Sequence, residues 1–375
     1  MSFLRRFASL PFVAALPLLV GCGPSQAQID PKNVVNVSVR PASGQLLFCP
    51  GDAFQVEVVA KLKDGSSCSN VDPNKGCMGQ KDTVISSEMV RIQGSSGVVG
   101  GGNFIWVPER DVLKTADTGM GLRGWLESAT SGKSMEAEAQ LKPVYDCQME
   151  QKLRGWKGRE GEPGAPGPEL TVAITTLSTP FYPDAALVRI DVPGNRFYMI
   201  SPSADKPVQI TSIGGEGGQG REGAPGIPGK DGKDATEECA EGTNGTDGTD
   251  GAPGGRGGDG GPGGLIKVIL DDANPDKLKG RLLLQSVGGP GGDRGPGGKG
   301  GFGGKGGKGG ALRAGDATCK PKDGKNGQLG RRGPSGDAGR QGPSGPAPVF
   351  EMGQRKVMFA NEISIIQRIE AGKAQ

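Results

Sequence analysis

The chain has 375 residues, of which 70 are Gly and 29 are Pro, and 34% are hydrophobic, so conventional apolar cores are confined to parts of it. Lys and Arg (44) nearly balance Asp and Glu (41), which argues against the concentrated basic face of a nucleic-acid-binding protein. The absence of His removes the commonest general base and the commonest nitrogen ligand of zinc and iron. We therefore expect a non-enzymatic protein without a cofactor.

The first residues, MSFLRRFASLPFVAALPLLVGC, place two arginines before an apolar run that ends in a small residue and Cys22. This pattern is typical of a secretory signal and resembles the lipobox of bacterial lipoproteins. The resemblance implies a signal peptide over 1–21, a lipid on Cys22 and a tether over 22–32; the alternative is a plain signal peptide with an accidental Cys. Gly23 stands where the family's inner-membrane retention signal has Asp, which favours lipid anchoring in the outer membrane, on its periplasmic or cell-surface face.

Residues 33–150 predict a β-domain. The segments VVNVSVRP (34–41) and AFQVEVVAKLKDG (53–65) alternate apolar and polar residues as half-buried strands do, and further short strands follow between Gly and Ser clusters. The pattern resembles a small immunoglobulin-like sandwich in architecture alone, because the usual Cys–Trp–Cys spacing is missing. On an exported protein such a domain indicates a spacer or a binding module.

Removing Cys22 leaves six cysteines, an even number that predicts disulfides in an exported chain although six allow fifteen pairings. Cys68 and Cys77 flank an eight-residue loop and most simply pair with each other. Cys49 precedes the second predicted strand and Cys147 ends the last, so a Cys49–Cys147 bond would tie the start of the domain to its exit.

From residue 155 onward, Gly recurs at every third position in five uninterrupted runs. These are run 1 (155–167), run 2 (214–232), run 3 (242–263), run 4 (289–310) and run 5 (324–345). The period predicts polyproline II helices, which make no internal hydrogen bonds and need partners for their amides. GEPGAPGPE and GREGAPGIPGKDGKD resemble bacterial collagen-like sequence, so a trimeric stalk is one packing and a bundle of helices from one chain is the other.

The runs are short, poor in Pro and in places carry two Gly per triplet, which favours the single-chain bundle. This packing resembles that of the snow-flea antifreeze protein. Triplets with two Gly suit a helix that lies between neighbours, so we predict inner positions for 254–264 and 288–310 and outer positions for 220–234 and 324–345.

Short apolar segments between the runs predict a β-layer at one end, within a domain that covers 155–375. Runs 1, 3 and 5 would arrive at this layer, and runs 2 and 4 would leave it. The turns between runs 2 and 3 and between runs 4 and 5 then meet at the far end, which predicts a Cys239–Cys319 disulfide. The C-terminal SIIQRIEAGKAQ predicts a last strand of the layer or a short amphipathic piece that packs on it.

The tract GTNGTDGTDG (242–251) repeats Thr beside Asn or Asp. Asp247 and Asp250 are weak calcium candidates, and a flat Thr row is a weaker ice-binding candidate, but neither the EF-hand nor the RTX register is present. We favour a solvated outer face for this tract and predict no metal site.

These features lead us to expect a structural or adhesive module of the cell envelope, held at the membrane by its lipid. Its partners would be extracellular matrix, polysaccharide or other envelope proteins, with no nucleic acid, and a monomer is favoured over a trimer. The alternatives are a trimeric collagen-like stalk and a calcium- or glycan-binding protein.

Overall fold

The structure is a computed structural model that describes residues 24–315 and 317–372. Strands make up 32% of it and helices 9%, which confirms a β-rich chain. Its contacts divide it into a first unit (24–45, 53–106 and 121–140) and a second unit (46–52, 107–120 and 141–372).

The two units do not follow the predicted boundary at residue 150. Residues 46–52, 107–120 and 141–150, which we placed in the 33–150 domain, belong to the second unit. Segments 46–52 and 141–150 are held together by a short strand pair and by the Cys49–Cys147 disulfide, so they stay in one unit despite their distance in sequence.

The strands of the described residues, in chain order, are β1 Ser25–Ala27, β2 Val34–Pro41, β3 Leu47–Phe48, β4 Phe54–Leu62, β5 Ser67–Ser69, β6 Thr83–Ile85, β7 Val90–Gly94, β8 Val98–Gly100, β9 Ile105–Val107, β10 Met120–Ser128, β11 Gly132–Lys133, β12 Ala137–Pro143, β13 Glu150–Arg154, β14 Leu170–Leu177, β15 Ala185–Val192, β16 Asn195–Ser201, β17 Val208–Ile213, β18 Ile266–Asp271, β19 Leu282–Val287 and β20 Val349–Gly353. The α-helices are α1 Val112–Thr115, α2 Pro275–Lys279, α3 Arg355–Met358 and α4 Ile363–Ala371. Single 3-10 turns occupy Pro31–Asn33, Pro73–Lys75 and Asp146–Gln148.

The first unit is built from two small sheets and a two-stranded pair. One sheet has the order β2-β4-β9-β8 with β5 on β4, and in the other β10 pairs with β7, β11 and β12. Alternate residues of β4 and the ring of Trp106 are fully buried, as the period-two pattern predicts. β1 lies within the predicted tether and pairs in parallel with β6, so this part of 22–32 is ordered strand.

The second unit contains two sheets that share an apolar core. The three-stranded sheet β13-β17-β19 is parallel. The five-stranded sheet has the order β16-β15-β14-β18-β20, in which β14, β18 and β20 are parallel and β15 and β16 antiparallel. Buried side chains of both sheets and Leu278 of α2 form one hydrophobic cluster.

The other face of the five-stranded sheet carries a second hydrophobic cluster. Ile366 and Ile369 of α4, Phe359 and residues of α1 pack there against β14 and β15. The C-terminal segment is therefore an amphipathic helix that packs on the β-layer, which is one of its two predicted forms.

The five Gly runs lie side by side and are linked by backbone hydrogen bonds at every third residue. In run 2 the amides of the column glycines from Gly217 to Gly232 donate to carbonyls of a parallel run 4 over 2.7–3.0 Å, and the Gly214 amide donates to the Val287 carbonyl at the end of β19. Run 3 is parallel to run 5 in the same way and antiparallel to runs 2 and 4. The amides of these glycines therefore find their acceptors within the chain.

Run 1 departs from the prediction because it is a hairpin and not one rod. Residues 155–161 run parallel to run 2, and 162–167 return beside run 3. The reversal is closed by a bond from the Glu162 amide to the Arg159 carbonyl, and Gly161 adopts φ +73°, which suits Gly.

Each run continues directly as a strand of one of the two sheets. The outward half of run 1, run 2 and run 4 follow β13, β17 and β19, while the return half of run 1, run 3 and run 5 lead into β14, β18 and β20. Strands that are neighbours in one sheet continue as, or from, runs that are neighbours in the bundle. The two sheets thus extend as two layers of hydrogen-bonded runs.

The number of glycines per triplet follows the number of neighbouring runs. Segment 254–264 contacts the return half of run 1 and runs 2, 4 and 5, and 288–310 contacts runs 2, 3 and 5. The Gly-poorer segments 220–234 and 324–345 each have two neighbouring runs. A Cβ atom is excluded wherever a carbonyl of another run approaches, so the inner segments need the second Gly.

Candidate functional surfaces

Run 3 has Thr at three successive positions that are three residues apart, Thr243, Thr246 and Thr249, which we call its Thr column. This column binds the backbone of run 2. The hydroxyl oxygens of Thr243, Thr246 and Thr249 accept hydrogen bonds from the amides of Lys233, Lys230 and Ile227 at 2.6–2.7 Å. The amide of each Thr donates to the carbonyl of the same partner residue. The row is therefore already engaged with the protein and is not a free array of hydroxyls.

The residues that follow these threonines, Asn244, Asp247 and Asp250, form the acidic column of run 3. Their side chains accept hydrogen bonds from the backbone of run 5. Oδ1 of Asn244, Asp247 and Asp250 accepts the amides of Lys325, Gln328 and Arg331 at 2.6–2.7 Å. The two weak calcium candidates thus each use one carboxylate oxygen on a backbone donor. Across the described residues, His, Cys, Asp and Glu do not gather in the groups of three that could hold a metal ion.

The same arrangement recurs on the other runs. Asp231 and Asp234 accept the amides of Lys305 and Lys308 in run 4. Asn326 and Asp323 accept the amides of Gly306 and Gly309. In each triplet the amide of the column glycine donates to a backbone carbonyl of another run. These side chains accept the hydrogen bond of a second amide in the same triplet.

The outward column of run 4 is exposed along most of its length. It consists of Pro290, Asp293, Pro296, Lys299, Phe302, Lys305 and Lys308. The Phe302 side chain is 76% exposed. Among the described residues, no carboxylate lies within ion-pair distance of the three lysine ammonium groups, so their charges are available to a ligand.

A shallow groove of about 330 Å³ lies on the first unit between β7, β10 and β12. Its walls carry Gln93, Gln140 and the Arg123–Glu138 ion pair of 2.8 Å. Gly94 adjoins the groove and makes room for the buried Trp106 ring on the opposite face of β7, because a Cβ there would lie 2.4 Å from Nε1 of Trp106. The side-chain amides of Gln93 and Gln140 make no hydrogen bond to any described residue, so they face the groove unengaged.

A buried carboxylate that sequence reasoning missed holds the start of α4. Glu362 is 3% exposed and accepts hydrogen bonds from Arg189, Arg196 and the hydroxyl of Tyr198. Burial, with the bond to Glu362, raises the pKa of Tyr198 to about 12, so this hydroxyl remains a donor at physiological pH. The cluster holds the C-terminal helix on the sheet.

The three disulfides join the pairs that the sequence positions predict, Cys49–Cys147, Cys68–Cys77 and Cys239–Cys319. The last pair connects the two turns at the end of the bundle away from the sheets. Cys22 and the predicted signal peptide over 1–21 lie outside the described residues.

No family model, no curated protein and no solved structure matches this chain. Within 24–315 and 317–372, every helix falls short of the length and apolar character that a bilayer crossing requires.

Proposed function

We propose that this chain is a non-enzymatic, lipid-anchored protein of the bacterial cell envelope, and that its Gly runs form a single-chain bundle of polyproline II helices. The bundle serves as a rigid, protease-resistant structural or adhesive module. The observation that carries the proposal is the ladder of glycine amides, which bond to carbonyls of the same chain at every third residue. This matches the three-residue turn of polyproline II, a helix without internal hydrogen bonds.

The ladder favours the bundle over the trimeric collagen-like stalk. In a collagen triple helix the glycine amides bond to other chains, whereas the donors of runs 2, 3, 4 and 5 are already used within this chain. For the first unit, we propose an immunoglobulin-like sandwich that acts as a spacer or a binding module. Its two sheets with alternating burial support this assignment.

Amide exchange on the purified, oxidised protein tests the bundle. We expect the amides of the glycines at every third position of runs 2–5 to exchange far more slowly than in an unstructured peptide, because each is hydrogen-bonded and requires local opening of the bundle before exchange. Circular dichroism should show a polyproline II signal, and light scattering should exclude a trimer. Exchange as fast as in an unstructured peptide, or a trimer that loses its protection when it dissociates, would contradict the bundle.

Metabolic labelling with palmitate tests the lipid anchor. We expect label on the wild-type protein and none on Cys22→Ser, with both proteins exported. Equal export with no label on either protein would show a plain signal peptide and would leave the bundle unaffected.

The outward column of run 4 is our candidate for adhesion to anionic polysaccharide. Successive positions of such a column are about 9 Å apart at the polyproline II rise, which suits repeated contacts with a charged polymer. Replacing Lys299, Lys305 and Lys308 by Gln should weaken binding to an immobilised acidic polysaccharide such as alginate. The matched control replaces Lys32, Lys61 and Lys63, which are exposed lysines of the first unit. Equal loss in both variants would show a non-specific charge effect.

The groove of the first unit supports glycan binding as a second candidate function. The unengaged amides of Gln93 and Gln140 beside an Arg–Glu pair offer donors and acceptors that suit sugar hydroxyls. A Gln93→Ala, Gln140→Ala variant should lose binding to a neutral glycan array, whereas the run 4 lysine variant should keep it.

A further inference from the structure

The hydrogen bonds of β1 fix how far the first unit can lie from Cys22. The Ser25 amide donates to the Asp82 carbonyl over 3.0 Å, and β1 pairs in parallel with β6. Two residues separate Ser25 from Cys22. Because an extended chain spans at most about 3.6 Å per residue, a lipid on Cys22 would hold the beginning of β1 within about 11 Å of its attachment point.

The parallel pairing places the loop before β6 at the same end of the first unit. This loop, residues 74–82, contains a turn in which Cys77 and Gln80 exchange two backbone hydrogen bonds of 2.9 Å. Met78 and Gly79 between them adopt φ +51° and +76°, as in a two-residue turn of the mirror-image type. The Cys68–Cys77 disulfide attaches the turn to β5, so the loop has a defined shape beside the beginning of β1.

Met78 stands at the tip of this turn. Its side chain is 53% exposed, and its backbone is left-handed, a conformation that favours Asn or Gly. The methionine therefore gains little burial within the described residues and raises the energy of the turn. Strained positions of this kind indicate a role outside the fold itself. A flexible apolar side chain suits the boundary between the headgroups and the acyl chains of a bilayer.

A pocket of about 370 Å³ lies between the turn and the beginning of β5. Lys75 lines it but is held by the Glu57 carboxylate. The side chains that line the pocket and make no hydrogen bond or ion pair with the described residues are Ser67, Asn74, Gln80 and Lys81. They offer hydroxyl, amide and ammonium donors, which suit a phosphate group.

We propose that the 74–82 loop docks on the phospholipid bilayer that holds the lipid of Cys22, with Met78 in the interface and the phosphate of a lipid headgroup in the pocket. This docking rests on the proposed lipid anchor but assigns a surface that the anchor alone does not. The bilayer is the occupant because the reach of about 11 Å leaves the loop at its surface. A basic residue at an anionic bilayer adds to the affinity that a covalent lipid provides.

Photo-cross-linking of the full-length lipidated protein tests this contact in vesicles of phosphatidylethanolamine and phosphatidylglycerol. Met78→benzoylphenylalanine should form several times more lipid adduct, identified by its mass, than Val98→benzoylphenylalanine. Val98 is the control because it is 71% exposed in the same unit and lies outside the loop. Equal yields from protein that carries its lipid and floats with the vesicles would refute the docking and retain the anchor. A protein without lipid on Cys22 would refute both.

A substitution in the pocket tests the headgroup contact. Lys81→Gln, added to the photoreactive protein, should reduce the adduct yield about fivefold, as expected for one basic residue at an anionic surface. Lys299→Gln of run 4 removes the same charge from the second unit and should leave the yield unchanged. Both lysines are exposed, so folding is retained and is checked by protease resistance. An equal effect of the two substitutions would overturn the role of the pocket.

Inorganic phosphate separates a membrane ligand from a soluble one. Added in excess to the vesicles, it should leave the yield at position 78 unchanged, because headgroups beside the anchor have a much higher effective concentration. Loss of the adduct on addition of phosphate, without loss of flotation, would assign the pocket to free phosphate and overturn the docking.

Discussion

Glu57 carries a carboxylate into the interior of the first unit. Its side chain accepts hydrogen bonds from Ser69 and Arg40 at 2.8 Å and from the ammonium group of Lys75. Burial alone would raise the pKa of Glu57, but the three donors outweigh it and the pKa lies below its ordinary value. The charged form is therefore the one that the fold selects.

This lowered pKa predicts a dependence of stability on pH. A carboxyl group whose folded pKa lies below its unfolded value stabilises the protein fully above about pH 4.3, and this contribution is lost as the pH falls through the folded pKa. Glu57→Gln should lower the free energy of unfolding at pH 7 by about 2–3 kcal/mol, because it leaves Lys75 and Arg40 without their anion. Between pH 5 and pH 2 the variant should lose less stability than the wild type in urea titrations.

The exposed pair Arg91–Glu127 provides the control for this measurement. Glu127→Gln should change the free energy of unfolding by less than about 1 kcal/mol, as for other surface pairs. Equal effects of the two substitutions would contradict the selective role of Glu57.

Within the Gly runs, substitutions in the acidic column of run 3 can distinguish a structural role of Asp247 and Asp250 from a calcium site. Asp247→Asn with Asp250→Asn keeps both Oδ1 acceptors and removes both charges, so stability should stay within about 0.5 kcal/mol of the wild type if the role is structural. Leu at both positions should cost about 1 kcal/mol for each lost bond. Thermal unfolding with and without calcium measures both effects. A calcium-dependent rise in the wild type that the Asn variant lacks would instead indicate a calcium site.

Neighbouring Gly runs approach each other so closely that a side chain at a column glycine should destabilise the bundle. A Cβ at Gly298 of run 4 would lie 2.0 Å from the Ala224 carbonyl oxygen, whereas a Cβ at Gly101 meets no atom within 4 Å. Gly298→Ala should therefore destabilise the bundle by more than about 3 kcal/mol or prevent its assembly. Gly101→Ala should be near neutral, and comparison of their midpoints in denaturant checks the difference.

Much of this architecture could be predicted because glycine period and strand alternation are local signals. Which runs lead to the sheets and which leave them follows from the apolar segments between the runs, and the inner positions of 254–264 and 288–310 follow from the second Gly in each triplet. The hairpin in run 1 could not be predicted, since its Gly column continues unbroken through the reversal. The second role of the Thr and Asp columns was also missed, because an acceptor for another run's amide looks like any exposed polar residue.

The Cys239–Cys319 disulfide acts on the whole bundle, because it joins the two turns farthest from the apolar cores. It closes a loop of 80 residues, and the chain-entropy relation assigns such a loop about 4 kcal/mol. Replacing both cysteines by Ser should reduce the free energy of unfolding of the second unit by about this amount and expose runs 2–5 to protease first. The Cys68–Cys77 double variant, with a loop of 9 residues, should lose about 2–3 kcal/mol, confined to the first unit.

The registration of run 3 against runs 2, 4 and 5 also restricts how this protein can change in length during evolution. Inserting one residue into run 3 would move every later glycine out of phase with three partners at once. Inserting three residues keeps the later glycines of run 3 in phase. The amides of the inserted triplet lack acceptors, however, unless the neighbouring runs gain a triplet at the same position along the bundle. Growth and shrinkage should therefore occur in coordinated steps of three residues across several runs, and a homologous gene with a longer bundle should carry paired insertions, not single ones.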